Sequence, residues 1–419
     1  MFSIPETYLK NLYWQASGNS LAQLINIFSL PLITRLFAPE SMGLLGLALQ
    51  YISLLTILIS LRFEHLVVWP KENHDAQHLT RFVLKFGALS CLLWTFLCAI
   101  ATTTFLVDSK LHIWLLLLPM TAYMLVCAQA LQQLDQRSSS FKLSGMSELV
   151  NRCVNNGFVV IGGLFSFGGI CLLLGVVLGQ AAKILVFRRH FGLLRGLFFQ
   201  DIFNAIRAAK CLKLFKLNGS LMLSHLMLSL TAVIPLTYIA FEWGKAEVGH
   251  FSLVLSTLAL PTALFGNAMG QVFYQQSSKQ FAQNKSFERL LLSNLKLLMV
   301  MGIPCFSFVC FFGPDMYALV FGAPWAEAGK IASYYSVAAA LSFFTTPFDR
   351  SGIIVNAWWY GPAWHLSRLI TTAIVLVVAW FFELSFLQFM YILTLQISLM
   401  YIIDGIASFM FSRRNQAFS

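Results

Sequence analysis

Charge is what this sequence has least of. Asp, Glu, Lys and Arg make up 11% of its 419 residues, less than half of the roughly 25% that a soluble domain carries. A bilayer-crossing helix takes ~20 mainly apolar residues, and 58% of the chain is hydrophobic, enough for about twelve such helices with short loops. The mean hydropathy of +0.74 agrees. No C-x-x-C pair occurs among the eight cysteines, which removes the usual zinc and disulfide frameworks. Seven lie in apolar stretches and read as small packing residues, and Cys211 stands alone in a basic segment. A phosphate-binding loop is missing: in Gly322–Ile331 six residues separate the glycines and no Ser or Thr follows Lys330. H-E-x-x-H and G-x-S-x-G are absent, so nothing points to hydrolysis, and neither metal nor cofactor is expected. The first apolar segment holds Asn19, Gln23 and Asn26 and runs into Pro31 and Arg35, which is not the pattern of a cleaved signal peptide.

What is present is a series of apolar runs divided by charged or Gly/Pro punctuation. They predict twelve spans near 14–36, 41–61, 82–107, 112–134, 146–167, 169–187, 216–241, 248–272, 290–313, 330–349, 363–382 and 386–411. Only Phe167-Gly168-Gly169 divides the fifth from the sixth. The net charge of +11 would suggest nucleic acid in a soluble protein, but here its sidedness matters more. With the N-terminus inside, only Arg35, Lys110, Lys245 and Lys330 fall outside and Arg152 within a span, leaving 23 of the 28 Lys and Arg residues cytoplasmic. That bias predicts an even helix count with both termini in the cytoplasm, and gives no support to nucleic-acid binding. The segment 190–215 reads as a basic amphipathic helix on the cytoplasmic face, drawn to anionic phospholipid. A solvated linker is the alternative.

The chain also repeats itself weakly. Gly18-Asn19-Ser20-Leu21 opens the first span and Asn218-Gly219-Ser220-Leu221 the seventh, with Pro31 and Pro235 following; Glu40-x-x-Gly43 precedes the second and Glu247-x-Gly249 the eighth. Six spans return the chain to the same side, so the halves are parallel repeats, an architecture of transporters. The expected fold is an all-α integral membrane protein. Its twelve transmembrane helices form two six-helix bundles, 1–189 and 216–419, about a pseudo-twofold axis along the membrane normal.

Polar residues within spans are costly unless they meet a partner or water. Asn19, Gln23 and Asn26 share one face of the first span, Asn267, Gln271 and Tyr274 one face of the eighth, and Asn218, His225 and Ser229 one face of the seventh. In the fifth, Glu148 stands one turn from Arg152, with Asn155 and Asn156 following. The stripes read together as the lining of a central hydrophilic cavity, and singly as interhelical hydrogen bonds. Glu64, Glu148, His225, Asp349 and Asp404 are the acidic or titratable candidates for ion coupling. A structural histidine, and an Asp349–Arg350 helix-end pair, remain the plainer readings. Gly175-x-x-x-Gly179 reads as close helix packing.

Four motifs carry a family resemblance. Thr34-Arg35-Leu36-Phe37-Ala38-Pro39-Glu40-Ser41-Met42-Gly43 resembles the T-R-L-x-x-P-E-x-x-G turn of bacterial polysaccharide-repeat flippases. Arg62-Phe63-Glu64-His65-Leu66-Val67-Val68-Trp69-Pro70 is similar to their R-x-E-x-A-(hydrophobic)-x-P motif, with Leu66 where alanine is common. Val248-Gly249-His250-Phe251-Ser252-Leu253 leads through Pro261 to Gly270-Gln271-Val272-Phe273-Tyr274, which resembles their eighth helix. Phe321-Gly322-Ala323-Pro324-Trp325-Ala326-Glu327-Ala328-Gly329 resembles their F-G-x-x-W-x-x-A-G turn. The last two spans match in hydropathy alone. The chain thus resembles the O-antigen and capsule flippases of the multidrug/oligosaccharidyl-lipid/polysaccharide exporter superfamily.

The resemblance implies an inner-membrane carrier, not an enzyme, that moves an undecaprenyl-pyrophosphate-linked glycan from the cytoplasmic to the periplasmic leaflet, driven by an ion gradient or the membrane potential and without ATP. It implies a polysaccharide polymerase and a chain-length regulator as partners. Arg35 and Arg152 are the first candidates for pyrophosphate contact, because the guanidinium fork suits phosphate. Arg35 also reads as a snorkelling anchor, and Arg152 as the partner of Glu148. A cation-coupled multidrug exporter and a membrane-embedded polymerase are the rival functions.

Overall fold

The computed structural model describes residues 6–70, 72–104, 109–137, 141–194 and 212–414. Its elements are helical throughout the described residues. In chain order they are α1 (Glu6–Leu36), α2 (Pro39–Ser60), α3 (Asn73–Thr104), α4 (Ser109–Arg137), α5 (Phe141–Leu164), α6 (Ile170–Val186) and α7 (Leu212–Glu242). Then come α8 (Lys245–Leu258), α9 (Asn267–Ala282), α10 (Glu288–Phe321), α11 (Ala326–Thr345), the single turn α12 (Ser351–Ile354), α13 (Tyr360–Phe381) and α14 (Phe386–Ser412). Within the described residues, each predicted span lies mostly in helix, with the eighth interrupted. Among the described residues, eight segments are long and apolar enough to cross a membrane by length and composition. Polar residues such as Asn19 and Gln23 in α1, and Glu148 and Arg152 in α5, lower the hydropathy of two of the others. Large apolar side chains such as Leu92, Phe96, Phe241 and Phe311 stay more than 60% exposed, as they do when the solvent is lipid. The protein is a multi-pass membrane protein.

The eighth predicted span is not one helix. It divides into α8, a π turn at Thr262–Gly266 and α9, which runs on to Ala282. Pro261 is the physical reason: it has no N–H to continue the ladder and its ring crowds the preceding turn. The ninth is longer than expected, because α10 absorbs both Pro304 and Pro314. The break between α5 and α6 is made by Ser166 and Gly168, both at positive φ.

The chain packs as two compact units. The first holds Met1–Phe37 and Leu45–Ser229, the second Ala38–Leu44 and Leu230–Ser419. In the first, α5 packs against α1 and α6, and α4 against α3 and α6. Gly18 meets Gly145 at a distance that no Cβ would allow, which brings α1 and α5 together. In the second, α11 is the central element, packed on α8, α10 and α14. There Gly313 and Gly329 cross, each against the other's carbonyl oxygen at 2.5 Å from where a Cβ would sit. Cys127 and Cys171 are buried packing residues as expected, whereas Cys153 and Cys305 are exposed. Of the basic amphipathic segment 190–215, residues 195–211 lie outside the described residues.

Candidate functional site

The motif Arg62–Pro70 folds into a buried charged cluster of the first unit. After α2 the chain reverses through Leu61 and Arg62, both left-handed at φ 48° and 63°. Such a pair of non-glycine residues costs roughly 1–2 kcal/mol each, and the surroundings hold it. The Ser60 hydroxyl accepts the Arg62 N–H at 3.1 Å, and the Asn218 side-chain amide of α7 donates to the Leu61 carbonyl at 2.8 Å. A six-residue 3-10 turn (Phe63–Val68) follows. Arg137 of α4 pins its far end, donating to the carbonyls of Val68 and Pro70.

This turn presents a carboxylate and two imidazoles together. Glu64 has no side-chain exposure and lies 3.4 Å from the Arg62 guanidinium, while its Oε2 has no hydrogen-bond partner among the described residues. His65 Nε2 is 3.7 Å from the same Glu64 carboxylate. The His65 ring stacks on that of His225 from α7, with centroids 6.0 Å apart and planes 15° from parallel. Burial pushes His65 below the ordinary imidazole value; Glu64 opposes that shift, and Arg62 and His225 reinforce it. A carboxylate, a poised histidine and a second histidine in ring contact form a set that can take up and pass a proton. Two of the ion-coupling candidates, Glu64 and His225, thus both neighbour His65. His65 between them is a residue that the span pattern does not single out, although its place inside the R-x-E-x motif is a usable signal.

The candidates of the fifth span are arranged differently from the expectation. Glu148 pairs with Lys183 of α6, not with Arg152 one turn along its own helix. The reason is the antiparallel crossing of α5 and α6: Gly175 lies against Asn155 and Val159, and Gly179 against Asn151 and Asn155. One further turn along α6 sets Lys183, only 7% exposed, beside Glu148. Asn151, Asn156 and Gln180 are buried near the same crossing. Arg152 is half-buried on α5. Lys183 follows Gly179 by the same four-residue step that separates Gly175 from Gly179.

The remaining candidates are separate from these clusters. Arg35 is exposed in the last turn of α1; Asn19 on that helix is exposed, while Gln23 and Asn26 are half-buried. In the second unit Asp404 accepts a hydrogen bond from the Tyr360 hydroxyl at 2.7 Å. The Arg350 guanidinium, next to Asp349, lies 5.7 Å from the ring centre of Tyr274. Gln271 is exposed, and the Asn267 side chain lies outside the described residues. The other motifs of the second unit hold turns. Gly322, at φ 108°, ends α10, and Trp325 is buried edge-on to His250, which bonds Glu247 at 3.2 Å.

The sequence profile of the polysaccharide biosynthesis protein family matches residues 32–330. The chain belongs to this family. The match spans all four motifs, from the T-R-L turn to the F-G-A-P-W turn. No curated protein matches the chain. Among solved structures, it is similar to the lipid II flippase MurJ in an inward closed conformation, at 14% identity and a TM-score of 0.61, covering 94% of this chain and 86% of that one. It is also similar to an inward-facing multidrug resistance MATE transporter of the MOP superfamily, at 15% identity and 0.55, over 99% and 95% of the two chains. The Vibrio cholerae MATE transporter VcmN in its bent form matches at 14% identity and 0.54, over 96% of each. At these identities the likeness establishes the fold, that of the MATE and MurJ membrane transporters.

Proposed function

We propose that this family member is a flippase that carries an undecaprenyl-pyrophosphate-linked oligosaccharide from the cytoplasmic to the periplasmic leaflet of the bacterial inner membrane, for O-antigen, capsule or exopolysaccharide assembly. The observation that carries the reading is the family match over residues 32–330. The fold likeness to a protein that is named for flipping lipid II supports a lipid-linked head group. The physics agrees. A pyrophosphate with a hydrated glycan cannot enter hydrocarbon, while its polyprenyl tail can remain there. Two six-helix halves, 1–189 and 216–419, would shield the head group between them by alternating access, with 190–215 lying on anionic lipid at the cytoplasmic face and both termini inside. Arg152 and Arg35 are the phosphate-contact candidates, and Asn19, Gln23, Asn26, Asn267, Gln271 and Tyr274 the hydroxyl-contact candidates.

Coupling to an ion gradient is assigned to Glu64, His65 and His225, with Glu148, Asp349 and Asp404 as further acidic groups. A polymerase and a chain-length regulator would take the delivered repeat unit. The test is complementation of a flippase-deleted strain. Restored surface polysaccharide supports the reading; dye or drug resistance without restoration overturns it in favour of a multidrug exporter.

A further inference from the structure

The second unit holds a cavity of about 540 Å³ that lies apart from the clusters assigned to transport. Its lining comprises Tyr238, Trp243, Trp380 and Phe381 together with two carboxylates, Glu242 and Glu383, and no Lys, Arg or His. Two helices end there, α7 at Glu242 and α13 at Phe381, and helix C-termini carry partial negative charge. The aromatic wall is built: Tyr238 and Trp243 meet edge to face at 5.4 Å, and both pack on Phe389, itself fully buried. Glu383 sits at φ 48°, the left-handed position after α13 that glycine occupies at least cost, and it closes the turn with Leu384 N–H donating to the Ala379 carbonyl at 3.1 Å. A charged side chain is thus held over the cavity where a glycine would relieve strain.

Carboxylates, helix C-termini and π faces all attract cations and all repel phosphate. The volume is far larger than a bare ion, and two carboxylates are too few for a hard divalent cation, which takes six to eight oxygens. We propose that this cavity binds an organic ammonium group, seated over Trp243 and Trp380 and paired with Glu242 and Glu383. Such a group comes from a phospholipid headgroup or from an amino sugar. The cavity lies at helix ends that the charge bias assigns to the non-cytoplasmic side, where either source is present.

The experiment is saturation-transfer NMR on the full-length protein in phosphatidylglycerol nanodiscs, titrated with glucosamine and with N-acetylglucosamine, whose amine is capped. Glucosamine should bind saturably and at least tenfold more tightly than the capped sugar. The double variant Glu242→Gln/Glu383→Gln should weaken glucosamine at least tenfold. Glu383→Gly, which keeps the turn and removes the charge, should weaken it in the same direction without lowering the melting temperature. Equal binding of the two sugars, or unchanged binding by these variants, overturns the proposal. Added phosphatidylethanolamine that displaces glucosamine assigns the ammonium to the lipid; no displacement assigns it to the amino sugar. None of these readouts measures transport, so their failure and a failure of complementation are separate results.

Discussion

Gly43 and Gly249 lie face to face at the crossing of the first turns of α2 and α8. A Cβ on Gly43 would overlap the Lys245 carbonyl oxygen, and one on Gly249 would overlap the Pro39 carbonyl oxygen. The contact is reciprocal: Lys245 stands to Gly249 as Pro39 stands to Gly43, four residues before it, and both pairs belong to the second unit. Each half of the weak internal repeat therefore supplies the same residue to one isologous contact.

Substituting either glycine should break this crossing. Gly43→Val and Gly249→Val are each expected to destabilise the protein by at least about 1–3 kcal/mol, the cost of overpacking, because backbone rather than a flexible side chain stands in the way. Thermal unfolding of the purified protein in detergent checks this, with Gly157→Ala as control, since nothing lies within 4 Å of a Cβ there. Unchanged midpoints for the two valine variants would contradict the crossing.

Lys183 and Glu148 should behave as a coupled pair. Removing one partner of a buried ion pair leaves the other charge uncompensated, at up to about 3–5 kcal/mol, and less here because Glu148 keeps 26% exposure. Lys183→Met and Glu148→Gln should each destabilise, and the double variant by clearly less than their sum. Additive effects in that double-mutant cycle would mean that the pair does not form.

The depressed pKa of His65 sets a pH dependence with a definite sign. Its folded value lies below the unfolded value of 6.5, so the folded state binds fewer protons. This contribution to stability is complete above about pH 6.5 and is lost as the pH falls through the folded pKa. The melting midpoint should drop between pH 7.5 and pH 5.5, and His65→Gln should drop less. An identical drop in the variant would assign the effect to other groups.

Transport should depend on charge at two places. Glu64→Gln is expected to abolish flipping while leaving expression intact, because Glu64 supplies the carboxylate that lies beside the His65 ring. Arg152→Glu should do the same by removing the proposed phosphate contact. Surface polysaccharide in the complemented strain is the readout. Wild-type levels with either variant would remove that residue from the mechanism.

Much of the architecture is legible in the residues. Hydropathy locates the spans because lipid admits only backbone that satisfies its own hydrogen bonds, and a helix of about twenty apolar residues does that locally. Gly175-x-x-x-Gly179 announces a close crossing, and the structure supplies it between α5 and α6. The partner of Glu148 is not legible. Arg152 at i+4 on the same helix is the local choice, and Lys183 prevails only because the crossing brings α6 alongside. The break at Thr262–Gly266 is half written in Pro261, which specifies an interruption but not a π turn.

The sequence by itself determined that the chain is an all-helical membrane protein of a polysaccharide biosynthesis family, since composition, periodicity and motif spacing are local properties. The tertiary structure decided which polar groups meet: His65 with His225, Glu148 with Lys183, Asp404 with Tyr360. Those pairings join residues up to 160 positions apart, as His65 and His225 show. They depend on where glycines let backbones cross and on where the chain turns left-handed, and no local pattern encodes the partner that waits on the other side.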